Sequence, residues 1–204
     1  ACAGCGTCAA ECKYEAIMMR HFSDQAIFAQ IDAILEENPQ EKVVTFACNW
    51  CSYAGADTAG VSRLAYPPNA RIIRTMCSGR VNPEFVWHAF QKGAPAVLVS
   101  GCHYVDCHYL DANRNTTRRM DGLWDGLEKA GLRPGRLMLE WCSAAEGARW
   151  QNTMVEAEKR RQSVSSDELA QTQAALAGVK TPSPRTSRPG DENTEASFAC
   201  VRCG

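Results

Sequence analysis

Cys2, Cys5, Cys8 and Cys12 follow the spacing Cys-x-x-Cys-x-x-Cys-x-x-x-Cys, and the residues between and beside the first three are small: Ala3, Gly4, Gly6, Thr7 and Ala9. A thiolate run this tight can wrap one corner of a cubane iron–sulfur cluster. In the bacterial ferredoxin run the first three cysteines hold one cluster and the fourth ligates the other cluster of a two-cluster module. Small neighbours keep side chains off the inorganic core and let turn N–H groups point at sulfides. Lys13 stands where such runs usually carry proline. Only one run is present, so the remaining ligands of each 4Fe–4S cluster would come from upstream sequence, and the chain reads as a fragment. A structural zinc site is the alternative for the same thiols.

A second set of cysteines is spread through the chain. Cys48, Cys77, Cys102 and Cys142 each close a short apolar run. Cys51 completes the pair Cys48-Asn49-Trp50-Cys51, and Cys107 follows Cys102 by five residues. Four thiolates can hold a 2Fe–2S cluster, two on each iron, or a zinc ion. Alone, the Cys48/Cys51 pair reads as a thiol–disulfide oxidoreductase motif, which needs a low thiolate pKa at a helix start. His103 and His108 flank the last pair of cysteines. Ligation of Rieske type would need both on one iron; otherwise they hydrogen-bond locally or face solvent. Trp50, Tyr53, Trp87 and Tyr104 read as packing around the site. Glu140 and Asp106 lie near it, but nothing marks them as an acid or a base. Cys200-x-x-Cys203 has too few ligands for a role.

These residues need elements to bring them together. Val43–Ala47, Arg71–Met76, Ala96–Ser100 and Arg136–Trp141 read as strands leading to Cys48, Cys77, Cys102 and Cys142. Helices are expected over 24–37, 52–64, from Asn82-Pro83-Glu84 to Gly93, over 113–130 and over 146–161. Strands alternating with helices give an α/β fold, a small parallel sheet of about four strands flanked by helices. Ligands of such sheets sit beyond the carboxyl ends of the strands. That rule gathers the strand-end cysteines into one neighbourhood. The expected organisation is a partial ferredoxin-like segment over 1–20, a linker helix within 21–41, the α/β domain over 42–162, and a mostly disordered tail over 163–204 with one short helix from Ser165 to Ala177. Arg114, Arg118 and Arg119 read as a solvated helix face, as do Lys159-Arg160-Arg161.

Composition narrows the function classes. The hydrophobic fraction of 45% allows a real core, and the formal net charge of −1 gives no basic field to draw in nucleic acid or an anionic membrane. No apolar stretch approaches the roughly 20 residues of a membrane span, and no signal peptide is visible. Cys-x-x-Cys pairs in an α/β chain without a secretion signal favour metals or redox chemistry over disulfides, and a cytoplasmic setting.

Within 42–160 the residues resemble a known family. Phe46-Ala47-Cys48-Asn49-Trp50-Cys51-Ser52-Tyr53-Ala54-Gly55-Ala56-Asp57 is similar to the opening of the iron–sulfur delta subunit of methyl-viologen-reducing hydrogenases. Ser62-Arg63-Leu64 with Tyr66-Pro67-Pro68, Arg71–Arg74 with Met76-Cys77-Ser78-Gly79-Arg80, Gly101-Cys102-His103 with Asp106-Cys107-His108-Tyr109, and Leu139-Glu140-Trp141 with Ser143–Gly147 extend the resemblance. It implies an α/β fold with one 2Fe–2S cluster held by four of Cys48, Cys51, Cys77, Cys102 and Cys107, and no family cysteine is expected at Cys142, which strand-end geometry alone keeps as an outside candidate. It further implies a relay of electrons between a hydrogenase or formate dehydrogenase and a heterodisulfide-reductase-type flavoprotein. Residues 1–20 look like the end of that flavoprotein's ferredoxin module, so the chain is expected to be the C-terminal part of a fusion of the two.

Overall fold

The computed structural model describes residues 2–179. Its centre is a four-stranded, all-parallel sheet in the order β2-β1-β3-β4. The strands are β1 (Val43–Cys48), β2 (Ala70–Thr75), β3 (Ala96–Gly101) and β4 (Leu137–Trp141). Every residue of β1 and β3 is buried, so these two read as unbroken apolar runs covered on both faces. The edge strand β2 mixes buried and exposed positions.

Side chains alternate between the two faces. Val44, Phe46, Val97 and Val99 point into a core closed by α2 (Asp24–Leu35), α4 (Pro83–Gln91) and α5 (Ala112–Lys129). Val43, Ala47, Ala96 and Leu98 point the other way, toward α3 (Ser52–Val61) and α6 (Gly147–Gln162), where Trp150 is fully buried. Local chemistry sets the helix ends. The Ser23 hydroxyl accepts from the Ala26 N–H at 3.2 Å to start α2. Asn82 caps α4, with Pro83 at its first position. Gly93, at φ +94°, ends that helix in a conformation that a Cβ would strain.

The expected elements are present with some ends shifted by one to three residues. Arg136 is a case in point: it is the one buried residue of a short turn ahead of β4, where its guanidinium binds the Ala94 and Pro95 carbonyls. The short helix expected at the start of the tail is α7 (Ser166–Leu176). It packs on α4 through the fully buried Leu176, whose carbonyl accepts from Gln91 at 2.9 Å. A five-residue helix not foreseen from the spacing, α1 (Thr7–Glu11), lies inside the N-terminal cysteine run. Cys200 and Cys203 lie outside the described residues. Among the described residues no helix is long and apolar enough to cross a membrane.

The chain runs from β1 outward to β2, then returns to place β3 on the other side of β1. The strand order therefore reverses between β1 and β3. In open α/β sheets this switch point opens a crevice at the carboxyl ends of the strands, and Cys48 and Cys102 lie there.

Candidate metal centre

Cys48 is the last residue of β1, and Cys102 follows β3 directly. Their sulfurs are 3.8 Å apart and buried. Two thiolates on one tetrahedral metal, with bonds of about 2.3 Å, would stand about 3.8 Å apart. Cys77, just beyond β2, and Cys107, in the loop between β3 and α5, join the same buried group, with Cys51 and Cys5 packed against it. Cys48 and Cys102 are in direct hydrogen-bond contact, and Cys77 and Cys107 complete a buried ring of four thiols with them. Cys51 joins it at a single point, through Cys102. Cys48, Cys51, Cys77, Cys102 and Cys107 are all free thiols.

Shared protons divide the ring. Hydrogen bonds from Cys102 and Cys77 pull the Cys48 and Cys107 thiols far below the usual range. Those same bonds, to Cys107 first and then to Cys48, push Cys77 and Cys102 up. A hydrogen bond from Cys102 lowers Cys51 as well. Backbone donors add to the effect: the N–H groups of Trp50 and Cys51 point to Cys48, those of Tyr109 and Asn113 to Cys107, and that of Gly79 reaches the Cys77 sulfur at 3.3 Å. Cys51 immediately precedes α3, and Asn113 lies in the first turn of α5. Unpaired N–H groups at helix starts favour negative charge, and thiolates are the form that binds metals.

Buried polar side chains hold the loops that carry the thiols. The Asn113 amide donates to the Cys102 carbonyl at 3.0 Å and to the His103 carbonyl at 2.9 Å, tying the loop after β3 to α5. The Ser100 hydroxyl donates to Ser52 at 2.8 Å, joining β3 to the start of α3. The Thr116 hydroxyl donates to Ser78, next to Cys77, at 3.3 Å. None of these residues stands out in the sequence, because a lone Asn, Ser or Thr carries no spacing signal.

The aromatic and imidazole residues take separate places. Trp50 stacks on His108 with ring centroids 4.1 Å apart and donates to the Tyr109 hydroxyl at 2.9 Å, so a partly exposed aromatic group flanks Cys51 and Cys107. His103 binds Glu146 at 2.6 Å. Tyr53 and Tyr104 are partly exposed, whereas Trp87 is buried in the main core, away from the thiols. Cys142 stands apart from the ring. Its sulfur faces Gly55 and the carbonyls of Ser143 and Glu146 at 3.4 and 3.5 Å, within the second core. Burial pushes its thiol up to about 11.

The N-terminal run is more open. Cys2 is exposed, and Cys5, Cys8 and Cys12 are half-buried. Backbone N–H groups of Ala16, Tyr14, Ile17 and Glu15 surround Cys12 and lower its thiol pKa. Cys5 is the member that reaches the ring at the sheet edge. Arg119, read from sequence as part of a solvated face, is in fact fully buried and bonds Glu11 of α1 at 2.7 Å. Among the described residues, no three or more His, Cys, Asp or Glu side chains are arranged to hold a single metal ion.

The donor set suits a thiophilic metal cluster: soft sulfur ligands, helix-start N–H groups and a buried setting. Comparison with known proteins agrees with the geometry. Residues 43–164 match the family described as methyl-viologen-reducing hydrogenase, delta subunit. The iron-sulfur D subunit of the F420-non-reducing hydrogenase vhc of Methanococcus voltae is 51% identical over 120 residues, 59% of this chain and 83% of that protein. The iron-sulfur D subunit of the F420-non-reducing hydrogenase of Archaeoglobus profundus is 43% identical over 122 residues, 60% of this chain and 89% of that protein. The A subunit of the Ferredoxin:CoB-CoM heterodisulfide reductase of Methanosarcina mazei is 51% identical over 142 residues, 69% of this chain. The match spans only 18% of that protein's length.

Proposed function

The chain belongs to the family of methyl-viologen-reducing hydrogenase delta subunits, and from that premise we propose that it is an electron-transfer module of an oxidoreductase complex, holding a 2Fe–2S cluster at the carboxyl edge of its sheet. Cys48, Cys77, Cys102 and Cys107 are the four ligands in this reading, and Cys51 is the fifth thiol beside them. The observation that carries it is the burial of these four thiols in one group at the β1/β3 switch point, with the Cys48 and Cys102 sulfurs 3.8 Å apart. Such a cluster would supply one-electron transfer.

The protein's own contribution is to hold and shield. Backbone N–H groups at the starts of α3 and α5 stabilise thiolate charge, and the Trp50–His108–Tyr109 group limits the approach of water from one side. Cys2, Cys5, Cys8 and Cys12 are proposed as 4Fe–4S ligands completed by upstream sequence. The relatives' names support partners among hydrogenase and heterodisulfide reductase components, with formate dehydrogenase an alternative electron source. Ten described cysteines, all free thiols, suit the reducing cytoplasm.

A thiol–disulfide oxidoreductase centred on Cys48 and Cys51 is the competing reading. The complete burial of Cys48 speaks against it, since a disulfide substrate must reach the attacking sulfur. Anaerobic purification followed by iron, zinc and acid-labile sulfide analysis, with visible and EPR spectra, decides the matter. Iron and sulfide with a 2Fe–2S signal are expected, retained in Cys142→Ser and Cys51→Ser and lost in Cys102→Ser. One zinc per chain without iron, or disulfide reduction by iron-free protein, overturns the proposal.

A further inference from the structure

We infer that Arg80 and Arg119 form a latch that seats the N-terminal cysteine segment on the α/β domain, and that the charge of Arg119 serves both cysteine groups at once. The second part rests on the iron–sulfur reading above; the first does not.

Both arginines belong to the domain that matches the family, and both side chains are about 1% exposed. A buried guanidinium needs a partner for its charge and acceptors for its fixed donors. Each finds its carboxylate outside residues 43–164. Arg119 Nη1 donates to Glu11 of α1 at 2.7 Å, while its Nη2 holds the Gly79 carbonyl at 2.7 Å. Arg80 pairs with Asp24 at the start of α2, and its Nε and Nη2 donate to the Phe22 carbonyl at 3.1 and 2.9 Å. The family domain thus carries two buried cations that residues 11–24 neutralise.

Steric fit marks the same seat. A Cβ at Gly6 would lie 2.6 Å from Arg80 Cδ, and one at Gly79 would overlap the Thr7 hydroxyl. Gly6 also sits at φ +83°, which only glycine adopts without strain. The cysteine run therefore lies against the turn Ser78–Arg80, directly after Cys77. Two donors in this region, Arg80 Nη1 and Arg119 Nε, are buried without a hydrogen-bond partner. Native structures rarely leave such groups unpaired. Donors of this kind suit a neighbourhood where negative charge arrives with a bound cluster.

Arg119 bridges the turn after Cys77 and the helix α1 inside the cysteine run. On one side it holds the carbonyl of Gly79, whose N–H reaches the Cys77 sulfur at 3.3 Å; on the other it holds Glu11, the residue before Cys12. A cluster becomes more negative on reduction, so a buried cation beside it favours the reduced state. One residue can then raise the potential of a cluster in either group, and seating the segment keeps both within its field.

The test uses the full chain in two states. In iron-free protein, alkylation of Cys5 and Cys8 is followed by mass spectrometry alongside amide hydrogen exchange. Glu11→Gln should raise their alkylation rates about tenfold over wild type, with β1 and β3 amides unchanged, because the buried Arg119 loses its partner. Asp24→Asn should act in the same direction. Equal rates in wild type and both variants overturn the latch. Glu11 and Asp24 are partly exposed, so these variants keep the test open if Arg119→Gln does not fold. In iron-loaded protein, iron and sulfide are measured first, and the sheet-edge signal is then titrated by EPR. A more negative midpoint potential in Arg119→Gln, restored toward wild type in Arg119→Lys, is expected; no shift overturns the charge role. Wild type that holds no iron overturns the iron–sulfur reading and the charge role with it, while the alkylation result still decides the latch.

Discussion

The two groups of cysteines solve the same chemical problem in opposite ways. The N-terminal run concentrates four thiols within eleven residues, on a loop with one short helix, and keeps them partly open to solvent. Its spacing is local, and the segment is seated on the domain through Gly6, Thr7 and Glu11. The sheet-edge ring draws its sulfurs from the ends of three different strands, and three of its four members are 1% exposed or less. It exists only while the sheet is assembled. The first arrangement leaves room for ligands from elsewhere, and the second is closed by its own fold. A chain with both has one site that can be completed by a neighbouring segment and one insulated from solvent by burial, against which the first site packs Cys5.

The largest effect that separates them is ligand loss. Cys102→Ser should reduce sheet-edge iron to background, because Cys102 is buried at the switch point with its sulfur 3.8 Å from that of Cys48, while any iron held by the N-terminal run is unaffected. Parallel loss at both groups in metal analysis would show that they are not independent.

Core damage comes next. Trp150 is fully buried between α6 and the sheet, and Trp150→Ala should cost about 3–5 kcal/mol of stability in denaturant titration. The sheet-edge thiols should then become reactive at lower denaturant concentration than in wild type, while Cys2 reacts at the same rate in both. Protection of Cys2 that tracks the core would erase the distinction.

Gly101 tests the insulation at finer grain. A Cβ there would meet the Ser78 hydroxyl at 2.7 Å and Trp141 Cζ3 at 2.8 Å, so Gly101→Ala should cost about 1–3 kcal/mol. Because Ser78 adjoins Cys77, the same change should speed iron loss to a chelator from the sheet-edge site. Unchanged chelation would mean that the ring tolerates movement of its loops.

The smallest effect is on pH. The Ser143 N–H, at 2.7 Å, and then His103 hold the Glu146 carboxyl below its ordinary range. A carboxylate lowered on folding stabilises the fold above its unfolded pKa, and this contribution is lost as pH falls through the lower folded value. Glu146→Gln should therefore flatten the acid limb of the stability profile by less than about 1 kcal/mol, since the His103 pair is half-exposed. Thermal melts at pH 3 to 6 check the sign.

The alternation of apolar runs with amphipathic helices was enough to place four strands and the helices between them. It worked because β1 and β3 are buried on both faces and carry little but apolar residues. Parallel pairing and the rule for strand ends then brought Cys48, Cys77 and Cys102 to one edge. The strand-end pattern treated Cys142 the same way. The resemblance set it aside, and packing shows the reason: β4 lies at the far side of β3, and the Cys142 sulfur turns toward Gly55 and the second core. Arg119 was misread because a basic residue on a helix is usually solvated, and no helical periodicity reveals a carboxylate more than a hundred residues away.

By itself, the sequence determined which residues could bind a metal and that those near strand ends share an edge, because spacing and hydrophobic period are local properties of the chain. Tertiary structure alone decided which thiols gather in one buried group, where Cys51 and Cys142 stand relative to it, and that residues 6–24 rest on two buried arginines. Those facts depend on strand order, on the turn of each side chain and on the pairing of distant charges, none of which leaves a periodic mark in the sequence.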